Sequence, residues 1–210
     1  MSQSLAKDFN FRSLLKFAFP SIIMMIFMSL YSIVDGFFIA QYVDSMALSA
    51  ANIVYPAVSI LLAVGIMFGT GGSAFVAAKI GQGKQEEANR NFSALTLTTL
   101  IIGILGAVLG NLFCRQICSL LGATPVLMDY GTAYLRTILS FAPVCLLQAL
   151  FQSFFVTAGR PGLGLSLTVS AGITNMLLDY LFVVPLHLGV AGAALATGLG
   201  QCIPAVAGIL

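Results

Sequence analysis

Two carboxylates stand where a carboxylate is expensive. Asp35, in YSIVDGFF, and Asp179, in NMLLDY, each lie within a long apolar run. Placing an ionised acid in hydrocarbon costs a few kcal/mol even on lenient insertion scales, so such a residue marks a binding or proton-handling site unless a neighbouring helix hydrogen-bonds it. Near Asp179, the series Thr168, Gly172, Asn175, Asp179 steps by four, three and four, which keeps all four on one helical face. Near Asp35, Ser29 and Ser32 precede it in steps of three, and Tyr31 lies one turn away. Facing stripes of this kind can line a hydrated pocket for a small cation. Oxygen ligands from Asp, Asn and Thr suit a hard ion such as Na⁺. A proton is the alternative, because two carboxylates in one low-dielectric site cannot both ionise cheaply.

The elements that must position these residues follow from composition. Of 210 residues, 59% are hydrophobic and only 8% charged, against about 25% charged in an average soluble chain. That excludes a soluble globule and predicts an all-α integral membrane protein. Six apolar stretches, at 14–42, 49–78, 92–112, 133–157, 163–186 and 189–210, each provide the roughly 20 helical residues a bilayer crossing needs. They are too long, and alternate too poorly, for barrel strands. The first follows Lys7, Arg12 and Lys16 but outruns a signal core, so it reads as a retained span. With the N-terminus cytoplasmic, the inner side holds Lys7, Arg12, Lys16, Lys79, Lys84, Arg90 and Arg160, and the outer side only Arg115 and Arg136. This seven-to-two asymmetry predicts a multi-pass protein with its N-terminus inside. A net charge of +2 gives no footprint for nucleic acid. In this arrangement Asp35 and Asp179 each lie seven residues from the outer end of a span, about 10 Å deep at 1.5 Å per residue. Thr197, descending the sixth span, falls at the same level.

Other chemistry is weaker. Cys114 and Cys118 are four apart in the connection between the third and fourth spans, and packing is favoured there over a disulfide or metal. Cys145 and Cys202 behave as small apolar residues. His187 is the sole histidine and stands at a helix end, which leaves no histidine cluster or Ser/His pair. GQGK at 81–84 lacks the glycine and hydroxyl residue of a phosphate loop and reads as a turn. Gly106 with Gly110, the thin half of span 2 (Gly65, Gly69, Gly71, Gly72) and the small residues of span 6 predict close helix packing. Pro20 permits a bend in the first span. The sixth run is still apolar at Leu210, so the expectation is a fragment of a longer protein, with a complete six-helix protein as the alternative.

Several runs together carry a resemblance: PSIIMMIFMSLYSIVDGFFIAQYVDSMALSAANIVYP, MFGTGGSAFVAAKIGQGKQEEA, FVTAGRPG and NMLLDYLFVVPLHLGVAGAALATGLGQ. Over nearly its whole length the chain resembles the N-terminal half of a multidrug and toxic compound extrusion (MATE) transporter. The resemblance implies one six-helix lobe of a twelve-helix, pseudo-symmetric protein of the plasma membrane, with the C-terminal lobe absent. It implies efflux of cationic or amphipathic drugs by antiport with H⁺ or Na⁺, with no enzymatic step and no cofactor beyond the coupling ion. By the same resemblance, Asp35, Asn175, Asp179 and Thr197 handle the coupling cation, H⁺ or Na⁺, and are the metal ligands where that cation is Na⁺. Tyr31 and Gln152 line the drug cavity, and Pro20 is a hinge. An acid at Asp179 resembles the branches whose cation site lies in the N-terminal lobe. Two alternatives come with this reading: a flippase for lipid-linked precursors, which would show basic residues in its cavity, and an intramembrane aspartyl protease, which would bring Asp35 and Asp179 within a few ångströms.

Overall fold

A computed structural model describes residues 11–209. Lys7, Asp8 and Leu210 lie outside that range, and so do the side chains of Arg12 and Lys16. The chain forms eight helices: α1 Phe11–Tyr42, α2 Ser45–Gly81, α3 Gln85–Leu112, α4 Cys114–Leu120, α5 Pro125–Ser140, α6 Ala142–Thr157, α7 Pro161–Val183 and α8 Gly189–Ile209. There is no strand among the described residues. Five helices are each long and apolar enough to cross a membrane, and α5 with α6, bent by 56° at their junction, are so only as a pair.

Most helices outrun the apolar stretches that revealed them. α2 starts at Ser45 rather than residue 49, and α3 at Gln85 rather than 92. Hydropathy marks the hydrocarbon, whereas a helix ends only where a cap or a turn residue stops it. Asp44 is such a stop: it is extended, at φ −170°, and its carboxylate accepts the backbone N–H of Met46 at 3.3 Å. The GQGK segment is a turn, with Gly83 at φ +75°, and it is pinned by Glu87, whose carboxylate pairs with Lys79 at 2.7 Å and Lys84 at 3.3 Å. The Lys79 hydrogen bond, then that from Lys84, hold the Glu87 carboxyl below the usual glutamate range. His187 occupies the turn before α8 in a left-handed conformation, φ +50°.

Two departures from the sequence expectation are larger. The fourth span, expected as one helix over 133–157, is broken at Phe141. Pro143 has no N–H to give the Leu139 carbonyl, so the ladder cannot continue; the Phe141 N–H folds back to Ile138 O at 3.0 Å instead. The break seats against α3 where Gly103 has no side chain: a Cβ there would lie 2.5 Å from Pro143 Cα. The mixed stretch 113–132 is helical as well, giving α4 and the start of α5. Cys114 and Cys118 are free and fully buried between these two helices. The Cys114 thiol donates to Thr132 O at 3.6 Å, and burial pushes it up to about 11, so the packing expectation holds.

α6 sits at the centre, with Cys145, Leu146, Leu147, Gln148, Ala149, Leu150 and Phe151 buried in succession; a helix covered on all sides is an interior helix. α2 packs on α6 and α5, and α7 on α8 and α1. Small residues allow these approaches. Cβ atoms at Gly65 and Gly69 of α2 would press on Leu146 and Ala149 of α6, and at Gly110 of α3 on Leu139. Along α8, Gly198 and Gly208 face the rings of Phe141 and Phe151. The outer surface is apolar, with Met25, Ile33, Ile60, Met67 and most of one face of α3 exposed, as lipid contact requires. The turns at Asp44, Gly122 and His187 share one end of the bundle, and those at Gly83 and Gly159 the other.

Candidate functional site

The site is built where α1, α7 and α8 meet. The buried stripe of α7 is Gly164, Thr168, Gly172, Asn175, Asp179 and Val183, which contains the predicted face without change. Gly172 brings α1 close: a Cβ there would lie 2.7 Å from the Phe27 ring and 3.3 Å from that of Tyr31. Gly200 does the same for α8, since its Cβ would lie 3.2 Å from Asn175 Cβ. Between these approaches the Asn175 amide donates to the Thr197 hydroxyl at 3.3 Å. Two turns along α1 and α7, the carboxyl groups of Asp35 and Asp179 lie within hydrogen-bonding reach of each other.

The accounting of donors is what makes this a site. Asp179 is 0% exposed, and neither of its oxygens has a hydrogen-bond donor; Asp35 Oδ1 and Asn175 Oδ1 are buried and equally without one. Buried polar atoms are nearly always satisfied, and leaving a charged one unpaired is costly. Two carboxylates cannot satisfy each other without a third party, since both only accept. A shared proton or a small cation would supply what is missing. Among the described residues no group of three or more His, Cys, Asp or Glu side chains could hold a metal ion. The donor set here is two acids plus neutral oxygens, which fits a hard monovalent cation or a proton better than a soft transition metal.

Three cavities lie about the site, and Asp35 lines two of them while Asp179 lines none. The smallest, about 20 Å³, is lined by Tyr31, Gln148, Asn175, Thr197 and Gln201 among others, and that is room for about one water. The second, about 110 Å³, is bounded by Asp35, Tyr31, Tyr55, Tyr134 and Cys145. The third, about 200 Å³, shares Ser32, Asp35, Tyr55 and Tyr134 with it and reaches Asn52. No Lys or Arg lines any of the three.

The structure therefore brings Asp35, Asn175, Asp179, Thr197 and Tyr31 together, and Ser32 lines the cavities beside Asp35. Ser29 does not join them: it is exposed, and its hydroxyl donates to Met25 O of its own helix at 3.1 Å. Steps of three fall short of a full turn by about 60° each, so two steps carry Ser29 about 120° off the Asp35 face. Gln152 donates to the Met28 sulfur at 3.3 Å; of the two α6 glutamines it is Gln148, one turn earlier, that lines the smallest cavity. α1 runs as a helix through Pro20. Sequence reasoning missed Tyr55, Tyr134 and Gln201. Only Gln201 carried a usable signal, standing one turn after Thr197 on the same face.

A protein-family model described as MatE matches residues 20–181. The chain belongs to the MatE family. Among curated relatives of this MatE chain, the multidrug export protein MepA of Staphylococcus haemolyticus is 28% identical over 193 residues, covering 92% of the chain and 43% of the relative. MepA of Staphylococcus aureus strain MRSA252 is 25% identical over 197 residues, with 93% and 44% covered. The chain thus spans somewhat less than half the length of these relatives. Among solved structures, an outward-facing multidrug resistance MATE family transporter of the MOP superfamily superimposes with a TM-score of 0.86 at 22% identity, covering 92% of this chain and 43% of that one. A MOP superfamily transporter from Pyrococcus furiosus gives 0.85 at 22%, with the same coverage. At that identity the likeness speaks for the fold: this MatE chain has the architecture of one half of such a transporter.

Proposed function

We propose that the chain is the N-terminal lobe of a secondary active multidrug exporter, which exchanges cationic or amphipathic drugs for H⁺ or Na⁺ across the plasma membrane. The observation that carries this is the facing pair Asp35 and Asp179, whose buried oxygens lack donors, with Asp35 lining cavities free of basic residues. Asn175 and Thr197 complete the cation ligands, Tyr31 faces the cavity, and Gln152 and Pro20 keep the drug-contact and hinge roles expected of them. The end of the bundle bearing Gly83 and Gly159 faces the cytoplasm, following the distribution of Lys and Arg, and the partner is a second, C-terminal lobe. The MepA relatives, named for multidrug export, support the substrate class.

The cycle needs only competition for overlapping negative charge. With the lobe open outward, a proton or Na⁺ neutralises the pair and loosens its hold on a bound organic cation, which leaves. After reorientation the ion departs inward and the restored charge attracts the next cation. The absence of Lys and Arg from the cavity linings disfavours an anionic lipid-linked cargo. The closeness of the two acids would also suit an aspartyl protease, but membership of a transporter family decides against an enzyme. In the full-length protein, Asp35→Asn and Asp179→Asn should each abolish drug efflux while membrane insertion persists. Efflux should be followed in proteoliposomes with Na⁺ and pH gradients imposed separately. Wild-type efflux in both variants would refute the proposal.

A further inference from the structure

Three residues are common to the walls of the smallest and the middle cavities: Tyr31, Thr197 and Gln201. They form the partition between the compartment holding Asn175 and the one holding Asp35. Their states differ. The Thr197 hydroxyl already accepts the Asn175 amide at 3.3 Å, and Tyr31 is held against Gly172. Gln201 stands one turn from Thr197 on α8, and its Oε1 is buried with no donor. A buried carboxamide oxygen without a partner is rare and needs a reason. Such an oxygen is a neutral, hard ligand of the kind that takes over a cation's hydration shell, and it equally accepts from a bound water.

We propose that Gln201 is a positioning residue for the coupling cation, its carboxamide oxygen holding the ion, as Na⁺ or as a hydrated proton, at the opening between the Asp35 cavity and the Asn175 pocket. This rests on the ion-exchange reading above and deepens it. Asp35 supplies charge on one side of the partition, with Asp179 behind it, and Asn175 supplies neutral oxygen on the other. Gln201 is placed between the two sets, and the smallest cavity beside it admits about one water-sized occupant. Gln201 therefore controls how readily the ion engages, and the affinity for drug with the competing ion withdrawn does not depend on it.

The test uses the full-length protein in proteoliposomes, with ethidium as the organic cation and Na⁺ or H⁺ varied one at a time. Gln201→Met keeps the length of the side chain and removes its oxygen. It should raise the half-saturating concentration of the coupling ion about tenfold, the effect of losing one good interaction, and leave equilibrium ethidium affinity unchanged when measured without Na⁺ at high pH, where no ion competes. Gln201→Glu, which retains an oxygen, should restore ion dependence. Wild-type ion dependence in Gln201→Met would overturn the proposal, and so would a parallel loss of ethidium affinity, the mark of a merely structural role. If Gln201→Met does not reach the membrane, Gln201→Asn withdraws the oxygen by one methylene and is judged by the same two outcomes. Asp35→Asn and Asp179→Asn run alongside: if they too leave ion dependence intact, the ion-exchange reading itself fails, whereas loss only in the acid variants defeats the role of Gln201 alone.

Discussion

At the scale of single residues, the site depends as much on an absent side chain as on the acids. Gly172 lies two turns from Asp179 on the same face of α7, and any Cβ there meets the Phe27 ring at 2.7 Å. A valine at this position must push α1 away from α7, and overpacking of this kind costs about 1–3 kcal/mol. Gly172→Val should therefore lower the thermal unfolding temperature in detergent and reduce drug exchange together, with Gly172→Ala intermediate in both. An unchanged melting temperature in the valine variant would show that α1 is not seated as described. The acids, Asn175 and Thr197 were legible in the sequence because polar groups at one depth in an apolar run stand out. Tyr55 and Tyr134 were not, since tyrosine is ordinary in a membrane protein and its direction depends on how its helix is cut and turned.

At the scale of elements, the break between α5 and α6 shows where hydropathy stops being informative. Residues 133–157 read as one uninterrupted apolar run; what the run conceals is that it is divided into two helices bent by 56°, with Pro143 at the break. The same blindness hid α4, which is too short and mixed to register beside spans of 20 or more residues. Conversely, the face carrying Thr168 to Asp179 was recovered intact, because a helix of regular pitch maps spacing onto direction. The seat of the break on α3 is testable. Gly103→Val puts new atoms where Pro143 Cα is only 2.5 Å from an ideal Cβ, and the neighbour is backbone, which cannot rotate aside. It should destabilise the protein by about 1–3 kcal/mol, read from thermal unfolding, whereas the same change at Gly71, with nothing within 4 Å of its Cβ, should be nearly silent.

At the scale of the whole molecule, the alternation of turns fixes a sidedness that labelling can read. Single cysteines placed at Gly83 and Gly159 in a cysteine-free full-length protein should react with a membrane-impermeant maleimide only from the cytoplasmic side. One at Asp44 or His187 should react only from outside. Reaction of Gly83 and Gly159 from opposite sides would contradict the fold itself. The location of the acid pair also has a mechanical meaning. Asp35 and Asp179 belong to different helices, held together by the small residues between them, so whatever lies between the two carboxyls also sets the spacing of α1 and α7. Two unit charges about 4 Å apart repel by about 4 kcal/mol at an effective dielectric of about 20, enough to shift a two-state equilibrium by nearly a thousandfold. Under the proposed exchange, loading or unloading one cation would act as a wedge withdrawn from or driven into the seam between the first helix and the rest of the lobe.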